Sequence, residues 1–197
     1  MGPVKICLLG PLELTVEGNL CPPVRAKKGR LLLGYLIVRN GQFVPRNQIA
    51  AMLWPDSYEE VARFNLRQLL SSVRKDLAGL GFRLKSQGTE EVAFDLADCW
   101  VDLFEFKRKV ELNPAESIPL YRGPLMEGFK ADWLDGERAQ LDVLYRRGLE
   151  RLADEAEPAQ RLSCSSRCYR WSEKGVSIRL RRRRRRASWQ GALCAVE

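Results

Sequence analysis

Between Ser57 and Gly81 the apolar residues Leu66, Leu69, Leu70, Val73, Leu77 and Leu80 return every three or four positions. That is the interval at which an α-helix brings side chains back to one face. A segment with this repeat is a helix that buries one stripe, so the rest of the fold has to supply an apolar surface for it to lie on. Ser57 followed by Glu60 has the spacing of a capping box and marks the start, while Gly79 and Gly81 mark the end.

The flanking sequence supplies that surface. Val4, Ile6 and Leu8, then Leu12, Leu14 and Val16 against Glu13, Thr15 and Glu17, alternate in period two around Gly10-Pro11, as in a half-buried β-hairpin. Gly18-Asn19 turns again, and Cys21-Pro22-Pro23 limits the next segment to a short edge strand. From Lys27 to Arg39 the residues Leu32, Leu33, Leu36 and Ile37 share a helical face, stopped at Asn40-Gly41. Phe43-Val44 is an extended link. Ile49, Met52 and Leu53 form a second, short helix that ends at Trp54-Pro55. After the long helix, 82–85 and 92–96 read as two strands around the tip Gln87-Gly88-Thr89. Sheet, three helices and a hairpin within residues 1–98 predict an α+β winged helix-turn-helix with an N-terminal β-sheet.

Beyond residue 98 the pattern becomes all-α: an amphipathic stretch from Trp100 to Leu112, and a long helix from about Asp132 to Glu157. In the long helix Leu134, Leu141, Leu144, Tyr145, Leu149 and Leu152 repeat near the 3.6 period. A break is expected at Pro158, and residues 158–197, with arginine at 181–186 and little apolar periodicity, read as a disordered basic tail.

Charge divides along the same lines. Residues 1–85 hold 13 Lys/Arg against 6 Asp/Glu, residues 86–157 hold 9 against 17, and residues 158–197 hold 11 against 2. The first block suits a polyanion and the second would be repelled by one; the third is either a basic tail that adds affinity for nucleic acid without specificity or a translated stretch without function. The absence of histidine removes Ser-His-Asp and Cys-His catalysis and every zinc site that needs imidazole. The six cysteines are scattered without a CxxC pair, so neither a metal site nor a disulfide framework is expected. No membrane span or basic leader is visible, and the expectation is a cytoplasmic, non-enzymatic protein without a cofactor.

On a wheel of about 100° per residue, the leucines and Val73 of the long helix gather on one side. Phe64, Gln68, Ser71, Ser72 and Lys75 lie on the far side, flanked by Arg67 and Arg74. Gln matches the adenine edge, Ser a base or a phosphate, an exposed ring the thymine methyl, and Arg or Lys guanine or phosphate. Between Val61 and Lys75 this helix carries no carboxylate to repel a DNA backbone. Arg83 and Lys85 on the following hairpin are candidates for the backbone or minor groove.

The string from Ala62 to Lys75, preceded by Val44-Pro45-Arg46 and Leu53-Trp54-Pro55-Asp56, resembles the winged helix of the Streptomyces antibiotic regulatory protein family, whose domains share the response-regulator output fold. Leu8-Leu9-Gly10-Pro11-Leu12, Val101-Asp102-Leu103-Phe104, the run Leu120 to Phe129 and Trp133 are similar to the same family. The resemblance implies that Arg63 and Asn65 join the DNA-contacting set. It also implies that 99–157 is part of a bacterial transcriptional activator domain built of tetratricopeptide-like helices. Its implied partners are double-stranded DNA, RNA polymerase with its sigma factor, and a second copy of the chain on repeated sites.

Two departures accompany the resemblance. Ser72 stands where the family has a basic residue, which implies one contact fewer. The helical repeats of the family continue well past Glu157, so 99–157 reads as a truncated array whose stripe Leu141, Leu144, Leu149 and Leu152 is left for self-association. The competing expectations are a protein-interaction module that binds nucleic acid without sequence preference, and a truncated family member without activator function.

Overall fold

A computed structural model of the chain describes residues 3–164. The period-two opening becomes β1 (Val4–Cys7) and β2 (Glu13–Val16), antiparallel with Val4 opposite Val16 and Ile6 opposite Leu14. The short β3 (Asn19–Leu20) closes one edge. The central helix α1 (Lys27–Val38) buries Leu32, Leu33, Leu36 and Ile37 completely, together with most of Tyr35. β4 (Val44–Pro45), α2 (Arg46–Leu53) and α3 (Glu59–Asp76) follow, then a 3-10 turn over Ala78–Arg83 and the hairpin of β5 (Leu84–Gln87) and β6 (Glu91–Phe94). The small sheet has the order β4-β6-β5, antiparallel throughout. Three helices followed by a hairpin are a winged helix-turn-helix. The stripe of α3 is buried as its repeat predicts, through Ala62, Leu66, Leu69, Leu70 and Val73.

The capping box does not form. α3 starts at Glu59 after Tyr58, with no side-chain cap, because Ser57 lies one residue too far upstream to reach the first free amides. The helix expected from Trp100 begins instead with a strand: β7 (Cys99–Val101) adds to the first sheet parallel to β1, with Ile6 opposite Val101, before α4 (Asp102–Lys109) starts. The strand order there is β3-β2-β1-β7. The division expected at residue 98 therefore falls at the start of a sheet strand, and Met1–Ala156 pack as one compact unit.

Asp102 anchors this junction. Its carboxylate, 2% exposed, accepts hydrogen bonds from the backbone N–H groups of Leu8 at 2.8 and 2.9 Å, Leu9 at 2.9 Å and Leu103 at 2.7 Å. The four-residue α5 (Pro114–Ser117) is capped by the Asn113 side chain, and the chain then returns to the sheet. Leu125 bridges Leu9, Met126 N–H donates to Leu8 carbonyl at 2.8 Å, and Glu127 N–H donates to Gly10 carbonyl at 2.8 Å.

The last helix, α6 (Asp132–Cys164), continues past the break expected at Pro158, where proline removes one intrahelical hydrogen bond. Its Arg138 guanidinium donates to the carbonyls of Leu125, Met126 and Phe129, each at 2.9 Å. Trp133 meets Tyr35 of α1 edge-on at 5.2 Å. Leu134 and Leu141 are fully buried, and Leu144 and Tyr145 pack partly against the core, so the stripe is covered further than its sequence implies. The expected disordered tail from residue 165 onward lies outside the described residues.

Candidate nucleic-acid interface

α3 is presented rigidly because it is packed from behind. α2 crosses it on one side, and α1 approaches so closely that a Cβ on Gly29 would lie 2.9 Å from Val73 and 2.8 Å from Val24. With Leu66, Leu69, Leu70 and Val73 committed to the core, Arg63, Phe64, Arg67, Gln68, Ser71, Ser72 and Lys75 are left exposed on the opposite face. Asn65 is half-buried beside them. Phe64 is 57% exposed, so its ring stands on the outer face of α3. The acids at the helix ends are set apart: Glu59 pairs with Arg63 at 3.7 Å, and Asp76 pairs with Arg25 at 3.6 Å while accepting its backbone N–H at 3.0 Å.

The flanking basic residues divide into two roles. Arg74 is half-buried. Its guanidinium donates to the Leu84 carbonyl at 3.2 Å and to Ser86 Oγ at 2.8 Å, which ties the wing to α3. Arg83 is turned inward: it is 6% exposed and donates to the carbonyls of Ala97 at 2.7 Å and Asp95 at 3.2 Å. Arg83 is therefore not exposed on the wing as expected, because burial and the two bonds from its Nη1 hold it at the exit of β6. Lys85 stays exposed, 3.9 Å from Asp95.

Two basic sites, with three residues that the helical stripe of α3 does not single out, join the face. Lys27 and Lys28 open α1, whose cap residue Ala26 makes no side-chain hydrogen bond, so the first amides of the helix are free to meet an anion. Lys28 Nζ sits 4.6 Å from the Trp54 ring centre. A cleft of about 560 Å³ runs from these lysines to Asn65, Gln68 and Ser72 of α3. Arg46, at the start of α2, is the second addition.

No family model matches the chain, and no curated protein matches it. Among solved structures, Mycobacterium tuberculosis EmbR in complex with a low affinity phosphopeptide is similar with a TM-score of 0.64 at 20% sequence identity. The match covers 83% of this chain and 48% of that one. The two share a fold. This chain spans about half the length of EmbR, and the part in common takes in most of the described residues.

The chemistry available on the face is that of hydrogen bonding and cation contact. Among the described residues no cluster of three or more Cys, Asp or Glu is placed to hold a metal ion, and no helix is long and apolar enough to cross a membrane. Cys7, Cys21 and Cys99 are free, and burial pushes the thiols of Cys7 and Cys99 up, away from the thiolate form a nucleophile needs.

Proposed function

We propose that this chain is a sequence-specific, double-stranded DNA-binding transcription regulator of the Streptomyces antibiotic regulatory protein type, with α3 as its reading helix and no enzymatic activity. The observation that carries the reading is the exposed face from Arg63 to Lys75, which holds amide, hydroxyl, guanidinium, ammonium and phenyl groups and no carboxylate. A solvated helix of this length ordinarily mixes both signs of charge along its outer face. Gln68, Ser71 and Lys75 take the major groove, Phe64 meets a thymine methyl, and Arg67 stands toward the phosphates. Asn65 and Ser72 border the groove, close to the lysines of α1. The fold likeness to EmbR supports the winged-helix frame on which this reading rests.

The family resemblance extends the reading to a cytoplasmic activator. It acts as pairs of copies on repeated promoter sites, and the helical part from α4 onward contacts RNA polymerase and its sigma factor as an incomplete activator domain. The test is a footprint on genomic fragments followed by affinity measurements on the protected site and on scrambled duplex. Gln68→Ala should lose about 1–3 kcal/mol on the protected site and little on scrambled duplex. Equal losses on both refute base reading. Uniform, salt-sensitive binding by the parent protein would mean a module that binds nucleic acid without preference.

A further inference from the structure

Where the wing meets α2 and α3, positive charge is gathered without a matching acid. Ser86 Oγ accepts from Arg74 Nη2 at 2.8 Å and from Arg46 Nη2 at 3.1 Å, which uses both lone pairs of the hydroxyl on two cations. Arg46 also lines a cleft of about 370 Å³ together with Arg63, Leu66, Arg67, Thr89 and Glu90. Its Nε is buried there with no hydrogen-bond partner. Glu90 is the carboxylate at this cleft, and it pairs with Arg63 at 3.8 Å, which Glu59 already shares. Among the described residues Arg46, Arg67 and Arg74 have no ion pair. Burial and the repulsion of Arg74 and Arg67 hold the Arg46 guanidinium below its usual range, with Glu90 opposing.

Three guanidinium groups with no ion pair and with spare Nη donors, gathered about one cleft and one serine, suit an anion that can accept from more than one of them. A backbone phosphodiester offers two charged oxygens, as a carboxylate does, but splayed tetrahedrally about phosphorus, so donors that come from different elements can each reach one. Arg63 and Arg67 belong both to this cleft and to the exposed face of α3, so an anion held here lies beside whatever that face reads.

We propose that Arg46, Arg67 and Arg74, braced by Ser86, form a clamp for one backbone phosphate of duplex DNA, distinct from the base-reading residues. The clamp rests on the DNA-binding reading above and deepens it. It assigns Arg46 a part in affinity that carries no sequence information, and it makes the wing contribute through Ser86 and the two arginines it braces.

The test uses the full chain with Arg46→Gln, Arg46→Lys and Ser86→Ala, each titrated with the protected site and with scrambled duplex across a salt series. Arg46→Gln should weaken both duplexes by the same factor, about tenfold, make the slope of log affinity against log salt shallower by about 0.9, and leave their ratio unchanged. Arg46→Lys should recover the slope but only part of the affinity, since an ammonium cannot span two oxygens in a fixed fork. Ser86→Ala, which removes no charge, should keep the slope and lose a smaller part of the affinity. Unaltered affinity and slope in Arg46→Gln, with Gln68→Ala still selective, overturn the clamp and leave the DNA reading standing. Loss confined to the protected site also overturns it, because Arg46 would then read bases. Failure of the parent chain to bind any duplex overturns the DNA reading itself.

Discussion

Removing the Asp102 carboxylate should cost more stability than any change on the exposed face of α3. Three backbone amides, of Leu8, Leu9 and Leu103, point at its two oxygens from 2.7 to 2.9 Å. In Asp102→Ala all three lose their acceptor in a site that is 2% exposed. Each orphaned buried donor costs about 1–3 kcal/mol, and partial relaxation brings the sum to about 3–5 kcal/mol. That is a large fraction of the roughly 5–15 kcal/mol that holds a domain together. Asp102→Asn keeps one oxygen, enough for Leu8 and Leu103, but turns an NH2 toward Leu9 N–H, and it should lose about 1–3 kcal/mol. Urea unfolding followed through the fluorescence of Trp54, Trp100 and Trp133 measures both. A loss below about 1 kcal/mol in Asp102→Ala would refute the argument that this carboxylate holds β1 to α4.

The same side chain carries a pH signature. Burial raises the Asp102 pKa above the ordinary carboxylate range, against the three amides and Arg122, which lower it. The folded chain therefore keeps a proton that the unfolded chain has already released. The proton-linked part of the Asp102 contribution is full below the ordinary carboxylate value and is lost as pH rises through the folded value, while the amide bonds remain with the ionised form. The stability difference between the parent and Asp102→Asn should shift in that direction across this window. A shift of opposite sign would mean that the amides outweigh burial.

Two further changes separate structure from binding. Arg83→Ala should lose about 1–3 kcal/mol of stability through the unpaired carbonyls of Asp95 and Ala97, while the salt slope of DNA binding stays unchanged; a shallower slope would return Arg83 to the DNA face. Gly34→Ala places a Cβ on the Met126 thioether. It should cost about 1–3 kcal/mol by overpacking, and combining it with Met126→Ala should cost less than the sum of the two single changes. Additive losses in the double variant would mean that the two side chains do not compete for one space.

The helices were legible because burial writes a period into the sequence: Leu66, Leu69, Leu70 and Val73 could share a face only in α3. The reading face was legible for the same reason, as the complement of that stripe. β7 was not, since Val101, Phe104 and Phe106 satisfy a helical repeat as well, and a three-residue parallel strand shows no alternation of its own. Asp102 looked like any acid in the first turn of a helix, and only the return of Leu8 and Leu9 from far along the chain explains its burial. Arg83 was misplaced by the rule that a basic residue on a hairpin faces outward; two carbonyls beyond the next strand turn it inward. The place of Arg46 at the site was not legible from the Val44-Pro45-Arg46 string, because its partners Ser86 and Arg74 lie in other elements.

The pairing of β1 with β7 also imposes an order of events during synthesis. Val4, Lys5 and Ile6 wait for Cys99, Trp100 and Val101, and Leu8 and Gly10 wait further for Met126 and Glu127. At about 5–20 residues per second a ribosome takes several seconds to deliver the missing partners. Until then β1 has β2 on one side and an open row of amides and carbonyls on the other. During synthesis the free side of β1 is therefore open to chaperones and to edge-to-edge association, and a chain stopped at residue 98 would keep that edge for good.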